Sequence, residues 1–406
     1  MLTVSSMTQN QVRSGPSAGP AAPALARHPS ILLGGFILLV FCTGTAEFLV
    51  SGLLPQLSAD FDVSVPVAGQ AATAYALTVA LGGPLVTIAT ARLPRKGLVL
   101  ALSVLFGLGT LLSALAPSFP LLLAGRVVAA SAQATLFAIA LVVATSVVSP
   151  DRAGRAVAAV TSGLTVATVL GVPLGQYAGQ ATGWRVPFVV VAIVAAAGTV
   201  LIASAMPRTA APAKGALAEL AVLRRGPVLL SLATTAVGCA GVGVVFTYLV
   251  PLLTDVSGFT GGAVTALLFA YGVGGFTGNV LAGRLADASL GATLRGVFAA
   301  TVVVMALLPL AAPVPWAAVL AVGALGVLST ATIAPLQTVL LRHAEGAPTL
   351  SVAVNVGAFN LANALGAALG GISVGAGLLR FNGLFGAVFA LAGLLLAGAV
   401  LRRRVR

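Results

Sequence analysis

The stretch ILLGGFILLVFCTGTAEFLVSGLLP, Ile31 to Pro55, is almost wholly apolar and carries a single charge, Glu47. A helix of about 20 apolar residues crosses roughly 30 Å of hydrocarbon, so this run is long enough to span a bilayer. It exceeds the apolar core of about 7–15 residues expected of a cleaved signal peptide, and it reads as a retained first span. Outward from it, apolar runs recur at 67–90, 98–116, 119–147, 155–180, 184–206, 227–252, 261–284, 294–312, 315–341, 348–375 and 382–401. The composition agrees: 59% of the 406 residues are hydrophobic and 7% charged, with a mean hydropathy of +1.11, against about 25% charged in soluble domains. The expectation is an all-α integral membrane protein of twelve transmembrane helices.

The net charge of +13 invites a nucleic-acid reading, but its distribution assigns it to membrane topology. With both termini in the cytoplasm, every Lys and Arg except Arg126, Arg185 and Arg380 falls on the cytoplasmic side. That asymmetry predicts a multi-pass plasma (inner) membrane protein whose basic turns meet anionic lipid, with no nucleic-acid partner. Residues 1–30 form a Pro- and Ala-rich cytoplasmic tail. A linker at 207–226 separates two six-helix bundles, 31–206 and 227–401, and 402–406 is a basic tail. The halves echo one another. Gly82-Gly83 and Arg92-Leu93 recur at one offset as Gly274-Gly275 and Arg284-Leu285, and Gly171, Gly175 and Arg185 recur at a similar one as Gly366, Gly370 and Arg380. Such duplication suits alternating access, in which one half rocks against the other.

Charges within spans cost a few kcal/mol, about 2.5–3.5 on insertion scales, and mark functional sites. Glu47 and Arg126 are the prominent pair, and the apolar region near Ala321 gives Arg126 no counterpart in the second half. Two readings stand: a structural ion pair or snorkelling arginine, or a proton-coupling site in which Glu47 takes up a proton and Arg126 tunes it or contacts substrate. Thr43, Glu47 and Ser51 share one face of the first span, with Phe48 beside them. Gln133 and Phe137 continue the Arg126 stripe on the fourth span. Tyr75, Tyr248, Asn279, Gln337, Asn355, Asn360 and Asn363 are further polar residues in spans, able either to contact a ligand or to join helices. A cavity lined by such groups suits a modest-sized, partly apolar solute. Gly171, Pro173 and Gly175 allow close helix approach and a bend at Pro173. Arg92, Arg284 and Asp287 sit in short turns able to latch helix C-termini, although Arg95 and Lys96 also read as topology markers alone.

Cys42 and Cys239 are far apart in apolar runs, and His28 and His343 form no cluster. No metal site, cofactor or catalytic site is expected, nor a nucleotide loop that would drive pumping. The chain is expected to be a monomer that is not an enzyme, acting on a small-molecule substrate and protons within the lipid bilayer.

Three segments resemble the major facilitator superfamily, specifically its drug:proton antiporters with twelve spans. Gly163 through Gly175 is similar to the span-five antiporter motif. Leu123-Ala124-Gly125-Arg126 is similar to a span-four motif whose arginine is associated with proton coupling. Gly44 through Pro55 resembles the branch of chloramphenicol-resistance exporters and sugar or arabinose effluxers, where an acidic residue of the first span handles protons or substrate. The resemblance implies the major facilitator fold, proton-driven export of a chloramphenicol-like compound, and proton-coupling roles for Glu47 and Arg126. Export of sugars or nucleosides is the alternative within that fold, and a non-transporting receptor or scaffold the alternative outside it. Ala91 stands before Arg92 where the family has an acidic residue, and Pro94 takes the place of a turn glycine, so the usual charge relay is not expected in the first half.

Overall fold

The computed structural model describes residues 28–90, 92–149, 152–207, 224–344 and 348–402. The expected tail at 1–30 and basic tail at 402–406 lie almost wholly outside them, as do Ala91 and most of the linker at 207–226. Every regular element among the described residues is a helix. The first half comprises α1 (Pro29–Asp60), α2 (Val65–Thr90), α3 (Arg95–Ala114), α4 (Phe119–Ser146), α5 (Ala153–Thr182) and α6 (Arg185–Ala205). The second begins with α7 (Gly226–Thr247). It then enters a continuous helix, Gly261–Ala311, whose backbone leaves helical geometry at Ser289 (φ −157°, ψ 93°). At 1.5 Å per residue, 51 helical residues would extend about 77 Å, more than twice the hydrocarbon thickness. The break therefore divides it into α8 (261–288) and α9 (290–311), two spans where the continuous helix alone counts as one. α10 (Pro315–His343), α11 (Pro348–Gly375) and α12 (Asn382–Arg402) complete the set.

Several helices are interrupted where the sequence reads as uniform. A π-turn at Ala167–Gly171 lies within α5 just before Pro173, and the helix resumes with the proline in its first turn. The irregularity expected at Pro173 thus takes the form of a π-turn immediately upstream of it. α7 is broken at Cys239 and ends at Thr247, and past Tyr248 the chain runs through a short helical turn, Leu249–Pro251, into a second π-turn at Leu252–Val256. α10 is broken at Thr332.

Small residues decide which helices touch. α5 lies along α1 because Gly171, Gly175 and Gly179 face Thr45, Leu49 and Leu53 in turn. A Cβ at Gly163 would stand 2.7 Å from the Ile37 carbonyl oxygen, so that crossing tolerates only glycine. The two halves meet along α2 with α11, α5 with α8, and α1 with α7. Across α5 and α8, Gly272 lies against the backbone of Thr168 and Val169.

Polar ties finish the ends of the first half. At the Asp60 end, the Asp60 carboxylate accepts from Arg185 Nη1 (2.7 Å) and Trp184 Nε1 (3.0 Å), while Arg185 Nη2 donates to the Ala116 carbonyl (3.2 Å). At the opposite end, Lys96 Nζ donates to the Ala203 and Met206 carbonyls (2.8 and 2.6 Å), closing the C-terminus of α6.

Candidate functional site

Arg126 is 1% exposed, and its guanidinium ends among backbone oxygens. Nη1 donates to the Ala46 carbonyl (2.5 Å), Nη2 to the Glu47 carbonyl (3.2 Å), and Nε to the Ala71 carbonyl (3.3 Å). A helical carbonyl uses one lone pair for its own i+4 bond and keeps the other, so α1 and α2 can accept a buried cation without unwinding. The guanidinium also lies over the Tyr75 ring, 3.9 Å from its centroid. Arg126 therefore joins α4 to α1 and α2 through their backbones.

The Glu47 carboxylate, 9% exposed, has different partners. Oε2 accepts from Gln133 Nε2 (2.6 Å), and Gln133 Oε1 accepts from the Tyr75 hydroxyl (2.5 Å). Oε1 accepts from Asn363 Nδ2 (3.2 Å), reaching across to α11 in the other half. Glu47 and Arg126 thus share one cluster without a salt bridge between their side chains, and the ion-pair reading is replaced by two separate sets of hydrogen bonds. The physical reason is geometric: the guanidinium fork is filled by the Ala46, Glu47 and Ala71 carbonyls, leaving the Glu47 carboxylate to the amides.

The other residues singled out from the sequence distribute around this cluster. Thr43 and Ser51 are buried on α1, with the Thr43 hydroxyl bonded to the Val40 carbonyl. Phe48 meets Phe246 of α7 edge to face (centroids 5.7 Å apart), and Phe246 stacks on Tyr271 of α8 (5.0 Å). Phe137 is half-buried against the first-half core. In the second half the Thr235 hydroxyl donates to Asn355 Oδ1 (3.1 Å), and Asn355 Nδ2 donates to Gln337 Oε1 (2.7 Å). Gln337 Nε2 and Asn279 Oδ1 are buried and have no partner among the described residues. Asn360 Nδ2 bonds the Val356 carbonyl. Tyr248 is seated between helices: its ring lies against Gly370 and its hydroxyl donates to the Ala367 carbonyl (3.0 Å), close to Gly69 of α2. Arg92 lies in the turn after α2, whereas Arg284 and Asp287, expected in a short turn, lie within the last turns of α8 because that helix continues to Ser289; all three are exposed and make no hydrogen bond or ion pair among the described residues.

Sequence reasoning passed over Thr235, Phe246, Tyr271, Gln176 and Thr265. The last two form the other side-chain hydrogen bond between the halves among the described residues, Thr265 to Gln176 Oε1. A threonine or phenylalanine in an apolar span carries no local signal, whereas Gln176, an amide in a span, and Tyr271, a tyrosine in a span like Tyr75 and Tyr248, were open to notice. Among the described residues no three His, Cys, Asp or Glu side chains gather as a metal site, and Cys42 and Cys239 are buried free thiols.

A bundle of membrane-crossing helices in two halves, with buried polar groups at their junction, defines a membrane transporter rather than an enzyme. The sequence profile of the Major Facilitator Superfamily matches residues 36–371, and the chain belongs to that family. It is 39% identical to the uncharacterised MFS-type transporter YfhI of Bacillus subtilis, over 91% of this chain and 94% of that protein. It is 35% identical to a chloramphenicol resistance protein of Streptomyces lividans, over 89% of this chain and 92% of that one. In fold it is similar to a bacterial homologue of the human lysosomal transporter Spinster, crystallised inward-facing and unoccupied. That match has a TM-score of 0.72 and 19% identity, covering 94% of this chain and 99% of that one.

Proposed function

We propose that this transporter is a proton-coupled antiporter exporting a small amphipathic compound of the chloramphenicol type. The observation that carries the reading is Glu47, a carboxylate buried at the junction of the halves whose oxygens are held by neutral amides rather than by a counter-charge. A group so placed can hold a proton in one conformation and release it in another, because rocking the halves changes its partners. Arg126 orients the α1 backbone beneath it. Thr43, Phe48, Ser51, Phe137, Asn279, Gln337 and Asn355 supply the mixed apolar and amide surface on which such a solute would rest, and the Phe48–Phe246–Tyr271 cluster favours a partly apolar one.

The helices sit in the plasma membrane with both termini, the turn bearing Arg92 and the end of α8 bearing Arg284 and Asp287 in the cytoplasm, as the distribution of Lys and Arg supports. The bundles 31–206 and 227–401 move about the glycine-lined seams, Gly171 and Gly175 holding α5 on α1, and the single chain is the working unit.

The test is uptake of radiolabelled chloramphenicol into proteoliposomes under an imposed pH gradient. Wild-type protein accumulates the drug uphill. Glu47→Gln drops gradient-driven accumulation to that of empty vesicles while solute exchange in the absence of a gradient continues. Undiminished uphill transport by Glu47→Gln ends the coupling role, and transport of arabinose in place of the drug ends the solute assignment.

A further inference from the structure

The two oxygens of Glu47 are not equivalent. Gln133 is buried, and its amide orientation is set from behind: the Tyr75 hydroxyl donates to Oε1, so Nε2 must face Glu47 Oε2. Turning that amide over would give the Tyr75 hydroxyl a donor in place of its acceptor. Tyr75 is fully buried with Arg126 against its ring, and its hydroxyl makes no other hydrogen bond among the described residues. Oε2 is therefore held as a permanent acceptor. Oε1 faces Asn363, which is only half-buried and has no second side-chain partner among the described residues fixing its amide. The groups around the carboxylate are Tyr75 from α2, Arg126 and Gln133 from α4, and Asn363 from α11; the only charge among them is that of Arg126.

We propose that the coupling proton binds Glu47 on Oε1, and that Asn363 of α11 is the positioning residue through which the second half senses it. This rests on Glu47 being the proton carrier. With Oε1 ionised, Asn363 presents its N–H groups. Once Oε1 carries a proton, that donor meets a donor, so Asn363 either turns its carbonyl toward Glu47 or withdraws. Either response changes the hydrogen-bond tie between Glu47 and α11, the helix that packs along the seam with α2, where Gly357 faces Ala80 and Gly371 lies near Pro66. Gln133, α2 and α4 stay as they are. One half thus keeps its grip on the carboxylate while the other responds to its charge.

Infrared difference spectra of the purified full chain, with pH as the only variable, read the position of the proton. If the proton is on Oε1, the carbonyl of the protonated acid is Oε2, bonded to Gln133. Its C=O band should vanish in Glu47→Gln, keep its frequency in Asn363→Leu and in Asn363→Ser, and move upward in Gln133→Leu. A band that moves with the Asn363 variants and not with Gln133→Leu places the proton on Oε2 and overturns the assignment.

Transmission is read by spin labels at Gly97→Cys and Gly296→Cys, exposed positions where an added side chain meets nothing within 4 Å; the native thiols are buried. The wild-type distance should change with pH. Asn363→Leu and Asn363→Ser should lose most of that change while retaining the Glu47 band. A wild-type distance that ignores pH, or a full response in both Asn363 variants, overturns the sensing role. A band or a pH response that survives in Glu47→Gln instead removes Glu47 as the carrier, which is a separate failure.

Discussion

Arg126→Leu is expected to damage folding before it damages transport. The side chain makes three hydrogen bonds to carbonyls on two helices and one contact with the Tyr75 ring. Interhelical hydrogen bonds in membranes average about 0.6 kcal/mol with a maximum near 1.7, so three contribute about 2–5 kcal/mol. The cation–π contact adds about 1 kcal/mol. At roughly 2 °C per kcal/mol for a large chain, the melting temperature in detergent should fall by about 6–12 °C. Arg126→Lys keeps the charge but offers one ammonium in place of the fork, and should lie between the two. A double-variant cycle separates the backbone clamp from simple attraction to Glu47. Because the bonds end on carbonyls, the penalty of Arg126→Leu should persist nearly whole in a Glu47→Gln background. A melting temperature unchanged by Arg126→Leu, or a penalty that disappears in that background, refutes the clamp.

Other substitutions test the packing and the ends of the bundle. At Gly125 a Cβ would stand 2.6 Å from the Ser113 backbone nitrogen and 2.8 Å from the Gly109 carbonyl oxygen. Gly125→Ala should therefore lower stability by about 1–3 kcal/mol, whereas Gly107→Ala, with open space around it, should be neutral or stabilising by about 0.5–1 kcal/mol; thermal melting of both proteins checks the contrast. Asp60→Asn removes an ion pair whose side chains are 41% exposed, so the loss should stay below about 1 kcal/mol and shrink in high salt. Lys96→Met uncovers the Ala203 and Met206 carbonyls at the end of α6, and faster hydrogen exchange there should report it.

Hydropathy located the spans because each must be apolar along its whole length whatever its neighbours are. It also separated 261–284 from 294–312, which the break at Ser289 divides, whereas the breaks at Cys239, Tyr248 and Thr332 leave hydropathy unchanged and had no signal in it. Glu47 and Arg126 were conspicuous for the same reason, as charges in hydrocarbon. Their partners were not. Gln133 shares the Arg126 stripe of the fourth span and Asn363 is an amide in a span, but they lie 86 and 316 positions from Glu47, so no local period could pair either with its carboxylate.

The sequence by itself determined a membrane-crossing helical protein with its charged Glu47 and Arg126 inside the first and fourth spans. These are properties of single segments in contact with lipid, and composition and length suffice to set them. Only the tertiary structure decided that Arg126 grips backbone while amides hold Glu47, and that one of those amides belongs to the other half. Helix rotation and crossing depend on which glycines let backbones approach, as Gly163 does at Ile37, and that choice is made between segments rather than within them.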